Sequence, residues 1–421
     1  MKVFKFGGAS VNTVERIQSI KNILSLYSNE KLVIIISAMG KTTNALEKVA
    51  EAFYAGNKED ALQLFTVIKN QHITTAKYLL VTHYNACYEQ LNNFFTEAEW
   101  LLHDKPVREY DYYYDQIVCV GELLSTCIVS YYLNEEGIAN KWVDVRDIIR
   151  TDDNFREANI DWDYTAKKIE QLHIDLMPDD NNILLTQGFI GSTDENESTT
   201  LGREGSDYTA AVFANILNAE SVAIWKDVEG IMNADPKQFA DAQLIPELSF
   251  DEIIEMAFYG AQVIHPKTIK PLQNKGIPLH VKCFFNAVLP GTIISKKQTK
   301  NLPPIIIIKD KQALMHLHSQ DFSFVGEKPM SELYKMLGEL NIKPNLIQTG
   351  AISLQLCLDD RAEKIEQLAS AASAIFDVQV ERDLSLLTIR HYNNELLAKM
   401  ITDKQIILKQ QTPETVQVLW R

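Results

Sequence analysis

The residues of this chain that could do chemistry gather in a few short runs. Lys5-Phe6-Gly7-Gly8-Ala9-Ser10 closes a short apolar stretch and precedes a helical pattern. A cation, two glycines and a hydroxyl at that place offer bare backbone N–H groups where a polyphosphate could lie. The same run also reads as a plain glycine turn with a surface lysine. Ser37-Ala38-Met39-Gly40-Lys41-Thr42-Thr43-Asn44 imitates the end of a P-loop at Gly40-Lys41-Thr42, but that motif needs a glycine at position 35, where the chain has Ile35. A P-loop is therefore rejected, and the hydroxyls and free amides there suit a small polar substrate.

Gly121-Glu122 interrupts the otherwise apolar helical pattern of residues 116–133, which puts a carboxylate on or near a buried face. Left without a partner it would be costly there. A substrate ammonium is one such partner, and a glutamate on the helix surface is the plainer alternative. Residues 200–211 (TLGREGSDYTAA) combine two glycines, Arg203 and a helix start. Arginine presents a planar fork to a carboxylate and the helix start adds partial positive charge; Ser206 or Asp207 serves equally as a helix cap. The turn-rich stretches 226–237 (KDVEGIMNADPK) and 259–266 (YGAQVIHP) could close the same pocket, although each alone reads as structural.

Dense β-branched runs at 2–6, 32–37, 141–145, 183–188, 221–226 and 278–282 must position these residues. They alternate with helical spacing, as in Val14, Ile17, Ile20, Ile23 and Leu24, or Ile117, Val120, Leu124, Cys127, Ile128 and Tyr131. Such alternation predicts a mainly parallel sheet covered by helices, with ligands at the carboxyl ends of the strands. Residues 44–104 read as a helical excursion and 190–206 as a polar, mobile loop. Charge and prolines at 296–304 mark a boundary, so 1–296 is expected to be the catalytic domain and 305–421 a second one. The tail predicts strands at 305–309 and 313–318, a helix at 330–340, strands at 345–347 and 352–358, a helix at 362–373 and a strand at 384–390. This is the β-α-β-β-α-β order of a ferredoxin-like α+β unit.

Bulk composition narrows the function classes. With 46% hydrophobic residues over 421 positions, the chain can bury a large core. Its net charge of -15 argues against nucleic acid and anionic membranes as partners. The opening MKVFKFGGAS is too short an apolar run for a signal peptide, so a cytoplasmic location is expected. Five scattered cysteines without CxxC spacing point to neither a disulfide framework nor a zinc site.

Taken in order, KFGGAS, VGELLS, TQGF, TLGREGSDYTAA, KDVEGI with NADPK, and FYGAQVIHPKT closely resemble the motif series of the aspartate kinases over about residues 1–295. That resemblance implies the amino acid kinase fold, an α/β/α sandwich around a mainly parallel sheet. The tail resembles, more loosely, the ACT regulatory region, with its second unit cut down. Carried over by motif, Lys5, Phe6, Gly7 and Gly8 would meet the phosphates of ATP, which brings Mg²⁺ with it. Lys5 would offset charge on the transferring group and Asp207 would help organise it. Thr43, Glu122, Arg203 and Ser206 would hold aspartate, with Arg203 on its α-carboxylate and Glu122 on its α-ammonium. Lys226, Asp227, Met232, Lys237, Gln262 and Val263 would line the nucleotide pocket. The ACT-like tail implies a homodimer.

Five positions depart from the usual family pattern: Ala9 for Thr, Glu204 for Gly, Met232 for Tyr, Lys237 for Arg and Gln262 for Lys. Glu204 reads as an outward-facing side chain. Two other readings stand beside the aspartate kinase. One is a kinase acting on glutamate, N-acetylglutamate or a nucleoside monophosphate, and the other is a non-catalytic sensor. In the tail, residues 344–353 (PNLIQTGAIS) resemble VDLITTSEVS of lysine-sensitive relatives, with neutral Asn345 where an acid would pair an effector ammonium. The tail is therefore expected mainly to dimerise the enzyme.

Overall fold

The strand Leu32–Ile36 reads LVIII and all five of its residues are buried, so it is covered on both faces. It lies third in an eight-stranded sheet whose order is Lys141–Val143, Ile183–Gln187, Leu32–Ile36, Lys2–Phe6, Ser221–Lys226, Leu279–Cys283, Thr292–Ser295 and Glu247–Ser249. The first six strands run parallel, and Thr292–Ser295 turns antiparallel to Leu279–Cys283. In register, Phe6 lies beside Ile36 and Trp225, which brings the ends of three strands to one edge. The strands Glu247–Ser249 and Thr292–Ser295 are too short to show a period of two, and the sequence does not reveal them.

The structure is a computed structural model that describes residues 1–176, 183–320 and 324–421. Contacts divide it into two units: Met1–Ile231, Leu244–Ile254 and Val263–Thr299 form one, and Met232–Gln243, Glu255–Gln262 and Lys300–Arg421 the other. Two stretches from the middle of the chain join the second unit for visible reasons. Asn233 O accepts from Ile306 N at 2.7 Å and Asn233 Nδ2 donates to Pro304 O, while Arg390 pairs with Glu255 at 3.1 Å.

In the first unit the helical excursion consists of Thr42–Tyr54, Lys58–Leu79 and Tyr84–His103. The helical run from 110 to 135 is long and apolar enough to cross a membrane by composition, yet it is buried in the protein core. The expected mobile loop at 190–206 is instead a hairpin, Ile190–Ser192 against Ser198–Thr200, followed by the helix Gly205–Ile216. All six strand residues of that hairpin are buried. Its polar side chains and amides are satisfied inside the protein: the Gln116 amide bonds both N and O of Ser198.

The second unit carries a six-stranded antiparallel sheet in the order Leu346–Thr349, Ser353–Asp359, Ile305–Ser319, Phe376–Arg390, Thr415–Trp420, Ile406–Gln411. The two strands expected at 305–309 and 313–318 are one bulged strand, because pairing with Phe376–Arg390 resumes after register shifts between Lys309 and Leu314. The helices Glu327–Glu339 and Ala362–Ala372 cover a core that includes Leu317, Leu333, Leu337, Leu356, Ile365 and Leu368. The element order is β-α-β-β-α-β, as expected, with the strand Phe376–Arg390 reaching well beyond the predicted 384–390.

Candidate active site

The carboxyl edge of the first sheet opens onto a cavity of about 790 Å³ that contains Lys5, Thr43, Glu122, Arg203, Ser206, Asp207 and Lys226 in its wall. Lys5 is the penultimate residue of its strand, and its ammonium lies 2.7 Å from Asp207 Oδ1, with the two side chains only 12% and 4% exposed. Asp207 is in the first turn of Gly205–Ile216, so the helix start adds partial positive charge beside the pair. That helix begins at Gly205, with Glu204 as its cap residue and no side-chain cap bond, so neither Ser206 nor Asp207 caps it.

Gly8 has a steric reason to be small, whereas a Cβ on Gly7 would make only an ordinary contact, 3.4 Å from the Lys5 ammonium. A Cβ on Gly8 would lie 2.6 Å from Ala38 O and 2.9 Å from Gly40 O, which no side chain tolerates. The two loops therefore meet backbone to backbone, with Gly40 N donating to Gly8 O at 2.9 Å. Phe6 differs from the other members of its motif: its ring is wholly buried and stacks on Trp225 at 6.0 Å. Only its main chain remains for a nucleotide.

Glu122 is 2% exposed. Its Oε1 accepts a long bond of 3.4 Å from Ala38 N, and its Oε2 is buried without a hydrogen-bond partner. Burial pushes its pKa up to about 8, against the smaller opposing effects of the Ala38 and Glu122 amides and of Lys5. A buried acceptor that faces a cavity and lacks a donor fits an incoming ammonium. Arg203 is exposed in the same wall, Thr43 is half-buried, and Ser206 is buried.

Lys226, at the end of its strand, donates to Val263 O at 2.8 Å, which joins two of the expected nucleotide residues. Asp227 follows it and is exposed. Met232, Lys237 and Gln262 belong to the second unit, where Lys237 and Gln262 are exposed. Glu204 is not outward-facing as expected, since its Oε2 accepts from His265 N at 2.7 Å.

One wall of the cavity was not foreseen. Residues 154–157 line it, and Arg156 stacks on Tyr114 at 4.3 Å while pairing with Asp111 at 3.2 Å. Behind them the fully buried Asp115 accepts from Arg156 N at 2.9 Å, Thr200 N at 2.8 Å and Thr200 Oγ1 at 2.7 Å. Burial pushes its pKa up to about 6, against those hydrogen bonds. The signal was available, for Asp115 opens the same apolar helical pattern that singled out Glu122.

The arrangement can bind an ammonium at Glu122, an anion at Arg203, and further negative charge between Lys5 and Lys226. Comparison with known proteins shows what the whole chain is similar to. The model of the Amino acid kinase family matches residues 1–283. The chain is 32% identical over 398 residues to the lysine-sensitive aspartokinase 3 of Escherichia coli (strain K12), a match that spans 92% of this chain and 86% of that protein. Its structure aligns with E. coli aspartokinase III in complex with aspartate and ADP (R-state) at a TM-score of 0.83 and 28% identity, over 100% of this chain and 96% of that one. Against the same enzyme in complex with lysine and aspartate (T-state), the TM-score is 0.80 at 29% identity, over 100% and 95% of the two chains.

Proposed function

Because the chain belongs to the aspartate kinases of the amino acid kinase family, we propose that the cavity at the sheet edge holds aspartate and ATP and transfers the γ-phosphoryl group to the β-carboxylate. The products are L-aspartyl 4-phosphate and ADP, the first step towards lysine, threonine and methionine. The observation that carries the residue assignment is the buried, unpartnered Glu122 Oε2 in the same cavity as the Lys5–Asp207 pair.

Phosphoryl transfer of this kind needs positioning and charge stabilisation more than covalent help, and a carboxylate nucleophile needs no general base. Glu122 receives the α-ammonium and Arg203 the α-carboxylate, with Thr43 and Ser206 adding hydroxyls; this leaves the β-carboxylate directed at the γ-phosphate. Lys5 offsets charge on the transferring group, and Asp207 holds the lysine in place. Gly7, Gly8 and the main chain of Phe6 approach the phosphates, and Lys226, Asp227, Met232, Lys237, Gln262 and Val263 serve the nucleotide. Mg²⁺ would enter with the phosphates, held mostly by them and by water, and would neutralise their charge; of the residues here Asp207, paired with Lys5, offers the hard carboxylate oxygens such an ion takes. Residues 1–296 carry the reaction, and 305–421 form a regulatory and dimerising ACT-like region of a cytoplasmic homodimer.

The test is a coupled assay of ADP release with MgATP and L-aspartate, L-glutamate or no acceptor, with hydroxylamine to trap the acyl phosphate. Aspartate-dependent ADP and a hydroxamate are expected. Turnover with glutamate and not with aspartate would sink the assignment.

A further inference from the structure

The start of the helix Gly205–Ile216 has an unusual cap. Glu204 sits at φ 54°, ψ 29°, the left-handed region that glycine enters without strain and other residues enter at a cost. The family pattern has glycine here. In this chain the strain is held in place by a specific bond: the Glu204 carboxylate accepts from His265 N at 2.7 Å, at the N-cap of the helix Pro266–Lys275. A second bond runs in the same direction beside it, from Lys267 Nζ to Leu201 O at 3.1 Å. His265 in turn lies two residues after Val263, whose carbonyl accepts the Lys226 ammonium at 2.8 Å.

We propose that Glu204 is a positioning residue that fastens the substrate corner, residues 203–207, to residues 263–265 and so fixes the Lys226 ammonium at a set distance from the Lys5–Asp207 pair. The inference rests on the reading that this cavity holds aspartate and ATP. The corner has other anchors: Asp207 is paired to Lys5, and Thr209 Oγ1 accepts from Phe189 N at 3.1 Å. A Cβ on Gly188 would meet Ser206 Cβ at 2.5 Å, so the corner is also wedged against the sheet. Loss of the Glu204 link therefore frees the 263–265 side, which holds the nucleotide, more than the aspartate side. A carboxylate that accepts a backbone N–H makes a charge-assisted bond, whose loss is of a size that changes affinity about tenfold.

Steady-state kinetics of Glu204→Gly, Glu204→Ala and Glu204→Gln, with hydrogen exchange of the peptide spanning 263–268, test this. Glu204→Gly removes the link and relieves the strained backbone together. Its KM for MgATP is expected to rise about tenfold with less than a twofold change in the KM for aspartate, faster exchange at 263–268, and a Tm that is unchanged or higher. Glu204→Ala should show the same rise in KM with a lower Tm, since the strain stays. Glu204→Gln keeps an acceptor and should restore most of the lost affinity. A residue that merely held the fold together would lower Tm and activity in step in both truncations. Wild-type KM for MgATP together with wild-type exchange in Glu204→Gly would overturn the proposal. If wild-type enzyme made no ADP with aspartate, the functional reading would fail, and the exchange rates at 263–268 would still decide whether Glu204 makes the link.

Discussion

Three charged groups that line the cavity, Lys5, Glu122 and Arg203, lead to different kinetic signatures. In the proposed reaction Lys5 faces the transferring group, so Lys5→Met is expected to lower kcat by roughly 10² or more, the scale of losing one charge-stabilising donor. Arg203 and Glu122 are proposed to hold the substrate, so Arg203→Ala and Glu122→Ala should chiefly raise the KM for aspartate. An unchanged aspartate KM in Arg203→Ala would remove the carboxylate-clamp role. Glu122 adds a proton linkage. In the free protein its pKa is raised to about 8, so at neutral pH it is mostly protonated. A bound ammonium needs the ionised form, so binding must expel nearly one proton at pH 7. Aspartate affinity should accordingly rise with pH up to about 8 and then level off. Calorimetric titrations at pH 7 in buffers of different ionisation enthalpy measure the release, and buffer-independent heats would show that Glu122 is already charged. The same raised pKa means that this group stabilises the fold less as pH climbs from about 4.5 through 8.

Among the elements, the hairpin of Ile190–Ser192 and Ser198–Thr200 owes its order to Asp115. Asp115→Ala strands three donors (Arg156 N, Thr200 N and Thr200 Oγ1) in the interior. Each unmet donor costs about 1–3 kcal/mol, so a loss of roughly 4 kcal/mol in urea unfolding is expected. Thr200→Val strands one acceptor, Asp115 Oδ1, and keeps both backbone bonds, so it should cost about 1–3 kcal/mol and less than Asp115→Ala. Equal losses in the two variants would mean that the backbone bonds contribute nothing. This hairpin also shows where sequence reading stops. Lys5 and Glu122 were legible because each breaks a local pattern, a cation before two glycines and an acid within an apolar helix. Six of the parallel strands were legible as apolar runs. The residues of 198–200 are Ser-Thr-Thr, ordinary loop chemistry, and the buried polar groups of that strand are met by partners 82 to 85 residues away in sequence. The role of Glu204 was hidden for the same reason, since its partner His265 lies 61 positions on.

At the scale of the whole molecule, the proposed regulatory role of the second unit bears on lysine. Asn345, neutral where lysine-sensitive relatives carry an acid, is already occupied: its Oδ1 accepts from Lys309 Nζ at 2.7 Å, and its Nδ2 donates to Gln312 Oε1 at 2.7 Å and Asp359 Oδ1 at 2.8 Å. At position 345 an ammonium would find an amide, and the neighbouring Asp359 carboxylate already accepts from Asn345 and Gln312 and pairs with Lys309 at 3.9 Å; an effector acts only through its differential affinity for two states. Millimolar lysine is expected to inhibit little. Dose-response curves with lysine, threonine and methionine at subsaturating aspartate check this, and strong inhibition by sub-millimolar lysine would contradict it. The sheet order of the first unit carries a different kind of consequence. Lys2–Phe6 lies between Leu32–Ile36 and Ser221–Lys226, so its second neighbour is made long after its first. During synthesis the Lys5 strand must wait, one edge unpaired, until the ribosome has passed Lys226. The sheet edge that carries Lys5 is therefore translated before the rest of the cavity and is among the last parts to be sealed, and a stalled nascent chain short of Lys226 would offer that bare edge to chaperones or to its neighbours.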